Sequence, residues 1–280
     1  MDKDNPKTTQ EMREMQLIES DYFSPGPQRE FLKPPTELQV WERFDFYYIC
    51  FGGFCLAWIA GYLNCVIIIQ HKGITVSHAT GTTSKMAISI ANFDFTDVFH
   101  KCFLLLAFFM GCVSVGFAVT KEKFYYSRKY GIILLIESFL LFIGIQLFEE
   151  SKDELAMLFT SMAMGIHNSL FTNFSGAVVR TTHVTGLITD IGLIIGHFIR
   201  GREENKDLWR LKVLLPLYIG FICGGISGTL LLKMLGQSCL YIPFFILVAI
   251  GALWTLWRVV YKSKSDEQVI KLQSIQMHKK

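Results

Sequence analysis

Gly61-Tyr62-Leu63-Asn64 followed by His78-Ala79-Thr80-Gly81, and Gly165-Ile166-His167-Asn168 followed by His183-Val184-Thr185-Gly186, write one pair of motifs twice into a single chain. The copies stand 104 and 105 residues apart. Gly111 and Gly116 match Gly220 and Gly225 at an offset of 109. Three landmarks thus recur in one order, with lengthening only where loops can grow. Internal symmetry in an apolar chain is a common plan of transport proteins, whose working site lies where the halves meet.

Of the 280 residues, 51% are hydrophobic and 14% aromatic, and mean hydropathy is positive, which points to a membrane protein. Crossing about 30 Å of hydrocarbon takes about 20 helical residues. Apolar runs near that length are predicted at 46–70, 103–119, 131–148, 155–174, 213–232 and 240–260. Two shorter, more polar stretches, 80–91 and 185–199, follow the His-x-Thr-Gly copies. A lipid-facing backbone must satisfy its own hydrogen bonds and no period-2 barrel pattern is present, so the expected fold is all-α, a polytopic membrane helix bundle. The organisation expected is a polar N-terminal tail (1–45), a first membrane repeat (46–150), a second (151–262) and a C-terminal tail (263–280). Trp41, Phe44, Phe46, Tyr47 and Tyr48 at entry, and Trp254, Trp257 and Tyr261 at exit, have the composition of interfacial belts. The tail lacks the basic start and short apolar core of a signal peptide, so the first span is expected to direct insertion.

Lys and Arg collect in alternate connections: Lys121, Lys123, Arg128 and Lys129; then Arg200, Arg202, Lys206, Arg210 and Lys212; then Arg258, Lys262 and Lys264. The intervening turns are acidic or nearly neutral. Under the positive-inside rule this gives six crossings with both termini cytoplasmic. Each His-x-Thr-Gly segment then enters and leaves as a short broken or re-entrant helix. Three crossings per repeat is an odd number, so the halves are expected to be inverted.

Ionisable groups at membrane depth cost on the order of 2.5 to 3.5 kcal/mol on insertion scales and need a partner or a wet cavity. Lys85 and Asp190 each lie seven residues past their histidine, and two outcomes are open to them: an ion pair across the repeat interface, or separate snorkelling to the headgroups. Ser77 and Thr182 are candidate N-caps. Two helix N-termini facing one another favour an anionic or carbonyl-bearing ligand, with Arg180 adding charge beside the second. Gly81 and Gly186 leave room at the next turn, for a ligand or for ordinary helix packing. His78 and His183 titrate near neutrality. Asn64 and Asn168 are candidates to hold a broken backbone or a polar solute, and Glu137 is an isolated acid in the third long run: a proton carrier, or an acid facing Ser or Gln neighbours. The seven cysteines are scattered as small packing residues, with a Cys102–Cys239 disulfide conceivable. No metal site or cofactor is expected, and no catalytic motif, phosphate loop or dinucleotide fingerprint is present, so an enzyme is not expected. A net charge of +3 makes no case for nucleic acid.

At these motifs the chain resembles the YoaK-like family of bacterial multi-spanning membrane proteins (domain of unknown function 1275), from about Cys50 to Val260. The similarity rests on Gly61 to Asn64 with Thr80-Gly81, and on Gly165 to Asn168 with Arg180-Thr181-Thr182-His183-Val184-Thr185-Gly186. Family members usually carry Asp at the place of Asn64, Met at Ala79 and Asn at Thr82, so the acid in the first half is absent here. The resemblance implies about six spans and an integral membrane location. The expected function is a small-solute permease in the plasma membrane, taking a small polar or anionic solute at a midplane site lined by Asn64, His78, Thr80, Gly81, Lys85, Asn168, Arg180, His183, Thr185, Gly186 and Asp190. A channel, a membrane scaffold or, further off, a membrane-embedded enzyme are the alternatives.

Overall fold

The computed structural model describes residues 40–71, 73–119, 128–174, 181–200 and 208–277, with side chains described from residue 47 to 259 apart from 48, 49, 174 and 209. The N-terminal tail expected at 1–45 lies almost wholly outside the described residues, as do the basic loops 120–127 and 201–207. Among the described residues every element is helical: α1 (Val40–Gln70), α2 (Ala79–Ala91), α3 (Phe95–Ala118), α4 (Arg128–Glu149), α5 (Asp153–Phe174), α6 (Val184–Ile199), α7 (Leu208–Leu235), a 3-10 turn (Gly236–Leu240) and α8 (Tyr241–Met277). Four described segments are long and apolar enough to cross a membrane: Cys50–Gln70, Phe95–Ala118, Arg128–Glu149 and Arg210–Val259. The last holds both α7 and α8, divided at the 3-10 turn.

Each run predicted from the sequence is a helix, with differences at the ends. α3 begins at Phe95, eight residues ahead of the predicted start. Asp94 caps it by accepting from the Asp97 N–H at 3.1 Å, and Lys101 pairs with Asp97 one turn on. Because the charges Asp97 and Lys101 compensate each other on one face, the helix runs through a stretch that reads as a polar turn. α8 continues to Met277, so residues 263–277, expected as a tail, extend a helix. α5 is 22 residues long but is not among the four apolar segments, since Ser161, His167, Asn168, Thr172 and Asn173 interrupt its hydropathy. Those polar groups turn into the protein, where each has a partner.

Helix directions follow from which residues touch. α1 and α7 run parallel, because Phe54, Trp58 and Tyr62 meet Gly220, Gly224 and Gly228 in rising order. α3 and α5 are also parallel: the Leu104 carbonyl accepts from Ser161 at 2.9 Å, and one turn on Phe108 lies against Gly165. α4 is antiparallel to α5, with Tyr130 near Asn173, Glu137 bonded to His167 and Gly144 against Thr160. α4 is antiparallel to α8 too, from Gly131 against Gly251 to Gln146, whose amide donates to the Tyr241 hydroxyl at 2.6 Å.

The parallel pairs are held by backbone contact. A Cβ on Gly61 would run into the Phe221 carbonyl and one on Gly224 into the Trp58 carbonyl. In the other pair, a Cβ on Gly165 would run into the Phe108 carbonyl and one on Gly111 into that of Met162. Small residues at such crossings are how helices approach closely in lipid, where the hydrophobic effect supplies no drive between them.

Cys102 is exposed, Cys239 is buried, and both are free thiols, so the conceivable disulfide is not formed. Tyr62 donates to the Cys239 carbonyl at 2.9 Å, which fixes the 3-10 turn against α1.

The end of α1 meets the start of α5. His71 stacks on Phe148 at 4.7 Å and faces Asp153 at 3.6 Å, with its Nε2 buried and unpartnered. Burial pushes the His71 imidazole below its ordinary value of 6.5, and the Asp153 carboxylate only partly restores it. The unfolded chain therefore binds this proton more readily than the fold does, and stability is lost as pH falls below about 6.5.

Two outcomes are expected. Gly224→Leu or Gly165→Leu lowers stability by about 3 kcal/mol, the upper end for overpacking, in detergent unfolding, whereas Gly116→Ala, with open space around it, stays within about 0.5 kcal/mol. The midpoint of thermal unfolding falls between about pH 7.5 and 5.5, by less in His71→Gln, which has no proton to gain.

Candidate functional site

Both His-x-Thr-Gly motifs fold as the same local structure. Each chain turn descends to a histidine that opens a helix: His78 before α2 with φ −109° and ψ 83°, His183 before α6 with φ −90° and ψ 64°. The residue before each histidine is tied to the asparagine of the preceding helix. Ser77 Oγ donates to Asn64 Oδ1 at 3.0 Å, and Thr182 Oγ1 to Asn168 Oδ1 at 2.8 Å. One turn into each helix the match continues, with Ser84 Oγ donating to the Thr80 carbonyl at 3.0 Å and Thr189 Oγ1 to that of Thr185 at 2.9 Å.

Ser77 and Thr182 are not N-caps, as the sequence suggested. The caps are the histidines themselves, and neither makes a side-chain capping bond. The hydroxyls are spent on the asparagines because the turn lies beside the preceding helix, at the level where Asn64 and Asn168 project. The first N–H groups of α2 and α6 therefore lack side-chain caps.

The matched contacts also correct one landmark. Phe108, Gly111 and Ser114 answer to Phe221, Gly224 and Ser227, an offset of 221 − 108 = 113. Gly61 meets Phe221 while Gly165 meets Phe108, and Trp58 meets Gly224 while Met162 meets Gly111. Ser114 donates to the Gly111 carbonyl at 2.7 Å and Ser227 to that of Gly224 at 3.0 Å. The counterpart of Gly111 is Gly224, one turn beyond the Gly220 chosen from sequence, because a glycine-rich helix offers several registers to the eye and only one to a packed partner.

α2 retraces the segment that leads into it. Ser77 sits beside Asn64, six residues short of the end of α1; Thr82 then donates to the Thr75 carbonyl at 3.2 Å, and Lys85 Nζ reaches the Gly73 carbonyl. Beyond that, Ser89 and the buried Lys101 of α3 share Asp97, which ties the far end of α2 to the start of α3.

The two turns converge. His78 and His183 lie close enough to interact electrostatically, and the His78 ring packs edge-on against Phe221 with centroids 6.0 Å apart. His78 Nδ1 lies 3.0 Å from Ser77 Oγ and 3.3 Å from Asn64 Oδ1. The His183 ring folds instead over its own first turn, where a Cβ on Gly186 would collide with it. Gly81 has no such neighbour. A cavity of about 10 Å³, room for one water, opens beside the first turn of α2 between Thr82, Ala79, Phe108 and Ser161.

Of the residues singled out in the sequence, Asn64, His78, Thr80, Gly81, Asn168, His183, Thr185 and Gly186 cluster at the two turns or on the first helical residues after them. Arg180 lies outside the described residues. Lys85 and Asp190 do not pair: Lys85 reaches Gly73 in its own half and Asp190 faces Arg210 of α7 at 3.7 Å. Each charge sits about 10 Å down its helix from the converging ends, at about 1.5 Å per residue, and finds its partner there. Sequence reading also left Glu137 alone. It bonds His167, the variable third place of Gly-x-x-Asn, at 2.7 Å, and a partner on another helix leaves no signal in spacing. Among the described residues no group of three or more His, Cys, Asp or Glu could hold a metal.

Asn64→Ala and Asn168→Ala are each expected to cost about 1 kcal/mol in detergent unfolding through the hydrogen bond to the turn, and more together if the turns support each other. An Asn64→Asp protein as stable as the parent would show that an accepting oxygen alone serves the turn.

Comparison with known proteins agrees with a membrane location. The chain is 27% identical over 95 residues to the UPF0700 transmembrane protein RA0705 of Rhizobium meliloti (strain 1021), which covers 34% of this chain and 40% of that relative. The chain thus spans well under two thirds of the relative's length. No solved structure matches. Residues 52–253 match DUF1275, a family described as proteins of unknown function, and with both motif pairs inside that range the chain belongs to this family of integral membrane proteins.

Proposed function

We propose that this protein is a small-solute permease built from two inverted three-span halves, α1 to α4 and α5 to α8, with α2 and α6 as re-entrant half-helices. Helix direction supports the count. Six crossings require α1 parallel to α7, α3 parallel to α5, and α4 antiparallel to α8, and all three relations hold. If α2 and α6 also crossed, α4 and α8 would be parallel. Lys85 meeting Gly73 supports the same reading, since α2 climbs back toward the end of α1 that the chain had just left. With the basic connections inside, both termini are cytoplasmic and the plasma membrane is the expected location.

The observation that carries the transport reading is that the two equivalent turns come within electrostatic range of each other. Broken helices whose N-termini approach one another at the repeat interface are the usual substrate site of inverted-repeat transporters. Here His78 and His183 mark that place. N–H groups without side-chain caps and the positive ends of two helix dipoles favour a small anion or a carbonyl-bearing solute, with Asn64, Asn168, Thr80 and Thr185 as neutral polar contacts. Gly81 keeps the first turn of α2 open, whereas at Gly186 the His183 ring lies over the first turn of α6. Lys85 and Asp190, each partnered in its own half, serve the hairpins rather than the solute.

The test is a thermal-shift screen of small carboxylates and amides, followed by uptake of any stabilising compound into proteoliposomes. A permease gives saturable uptake with counterflow, and His78→Ala or His183→Ala raises the half-saturating concentration about tenfold, the equivalent of one hydrogen bond of about 1.4 kcal/mol. Flux without saturation identifies a channel. Neither stabilisation nor flux across the panel overturns the permease reading and favours a scaffold.

A further inference from the structure

The most deeply buried ionisable groups have no part in the site above. Glu137 of α4 and His167 of α5 have side chains 1% and 0% exposed, with Oε1 and Nδ1 2.7 Å apart. The other imidazole nitrogen, Nε2, lies 2.9 Å from the Leu56 carbonyl of α1. A carbonyl can only accept, so Nε2 carries a hydrogen. The Nδ1 to Oε1 contact then needs one further proton between the two atoms, as imidazolium with carboxylate or as imidazole with carboxylic acid. In either form the pair is neutral overall, the state least costly in a low-dielectric core. Glu137 Oε2 is buried and has no partner.

Architecture does not demand this pair. His167 stands 104 residues after Leu63, which is equally buried and apolar, so the matching place in the first half is filled without charge. A charged pair replaceable by apolar packing is weak as a stability device. It is well placed to act on the site, however. Asn168, the next residue, accepts from Thr182 just ahead of His183. Leu56 precedes by two residues the Trp58 whose carbonyl touches Gly224.

We propose that Glu137 and His167 form a proton-binding site that holds one exchangeable proton and sets the position of the Asn168–Thr182 turn. The role as coupling site rests on the alternating-access reading above, since the core must be wetted for the proton to leave. Loss of the proton to water leaves the Nδ1 lone pair facing a carboxylate oxygen, so the two side chains separate, and Oε2 is free to take the entering water. His167 and Asn168 share one turn of α5, so a shift of that turn as the pair separates is carried to the Asn168–Thr182 contact. Regaining a proton restores the 2.7 Å contact. On the packed elements, the titratable groups toward this level are thiols: Cys55 beside Leu56 on α1, and Cys112 on α3, which donates to the Gly165 carbonyl at 3.5 Å. On α4 itself Tyr130 and Glu149 lie toward the two ends, on α5 Asp153 and Glu154 occupy the first turn, and on α8 Tyr241 and Arg258 lie toward opposite ends.

The test needs only the proton as ligand. Infrared hydrogen–deuterium difference spectra of the full chain in lipid nanodiscs are recorded across a pH series, beside direct measurement of proton uptake. The proposal predicts a protonated-carboxyl band or imidazole band that changes with pH, and an uptake of one proton per chain that is lost in Glu137→Gln. The carboxamide of that variant can still donate to Nδ1, so the contact survives without an exchangeable proton. Should the variant fail to fold, the Nδ1 nitrogen resonance of His167 in the parent protein reads the same transfer. Bands that stay constant across the pH series, or uptake equal in parent and Glu137→Gln, overturn the proposal. Because no solute is present, a protein that shows the Glu137-dependent uptake but no saturable flux would refute the permease reading alone.

Discussion

Two helices touch backbone to backbone only where the side chains between them vanish, and Gly61, Gly111, Gly165 and Gly224 remove them at four crossings in two parallel pairs. Everything else is placed by those contacts. They hold α1 on α7 and α3 on α5, so each close pair joins a helix of the first half to one of the second. The halves are interleaved rather than set side by side. A turn that hangs from α1 and a turn that hangs from α5 are thereby brought near each other, with His78 half-buried and His183 exposed.

Within lipid a backbone that leaves the helix needs partners of its own, because an unsatisfied N–H or carbonyl costs several kcal/mol. Asn64 and Asn168 anchor the two breaks by accepting from Ser77 and Thr182. What remains unfilled is at the far side of each break, where the first N–H groups of α2 and α6 meet no side-chain cap. The same economy appears at Lys101, buried in α3 yet partnered by Asp97 and Ser89. Glu137 and His167 depart from it, since one carboxylate oxygen there has no partner at all. Among the described residues Gln70, His71, Thr181, Arg210 and Arg258 also leave one buried polar atom each without a partner, so the economy is broad but not complete.

The helices were legible because hydropathy and length are local properties: the predicted run 155–174 and the short stretch 185–199 lie within two residues of α5 and α6 at their starts and share their ends. The two motif pairs were legible as Gly-x-x-Asn and His-x-Thr-Gly, and the local hydrogen bonds built on them are alike. Legibility ended where a contact joins residues far apart. The Gly224 register, the Glu137–His167 pair and the local partners of Lys85 and Asp190 depend on which helix lies across the interface, and spacing along one helix carries no record of that. Ser77 and Thr182 misled for the opposite reason: a hydroxyl ahead of a helix usually caps it, and here a nearer acceptor took the bond. The start of α3 was missed because its charges compensate each other within one turn.

The central claim is that two triplets of crossings run in opposite senses, so that the half-helices enter from opposite faces and meet. Membrane-impermeant thiol labelling of a cysteine-free chain in sealed vesicles tests it most directly, with single cysteines at Lys152, Ser238 and Gly201. Six crossings put Lys152 and Ser238 on one face and Gly201 on the other. Labelling that joins Lys152 with Gly201 and separates both from Ser238 would require α2 and α6 to cross as full spans, and the inverted arrangement would be contradicted.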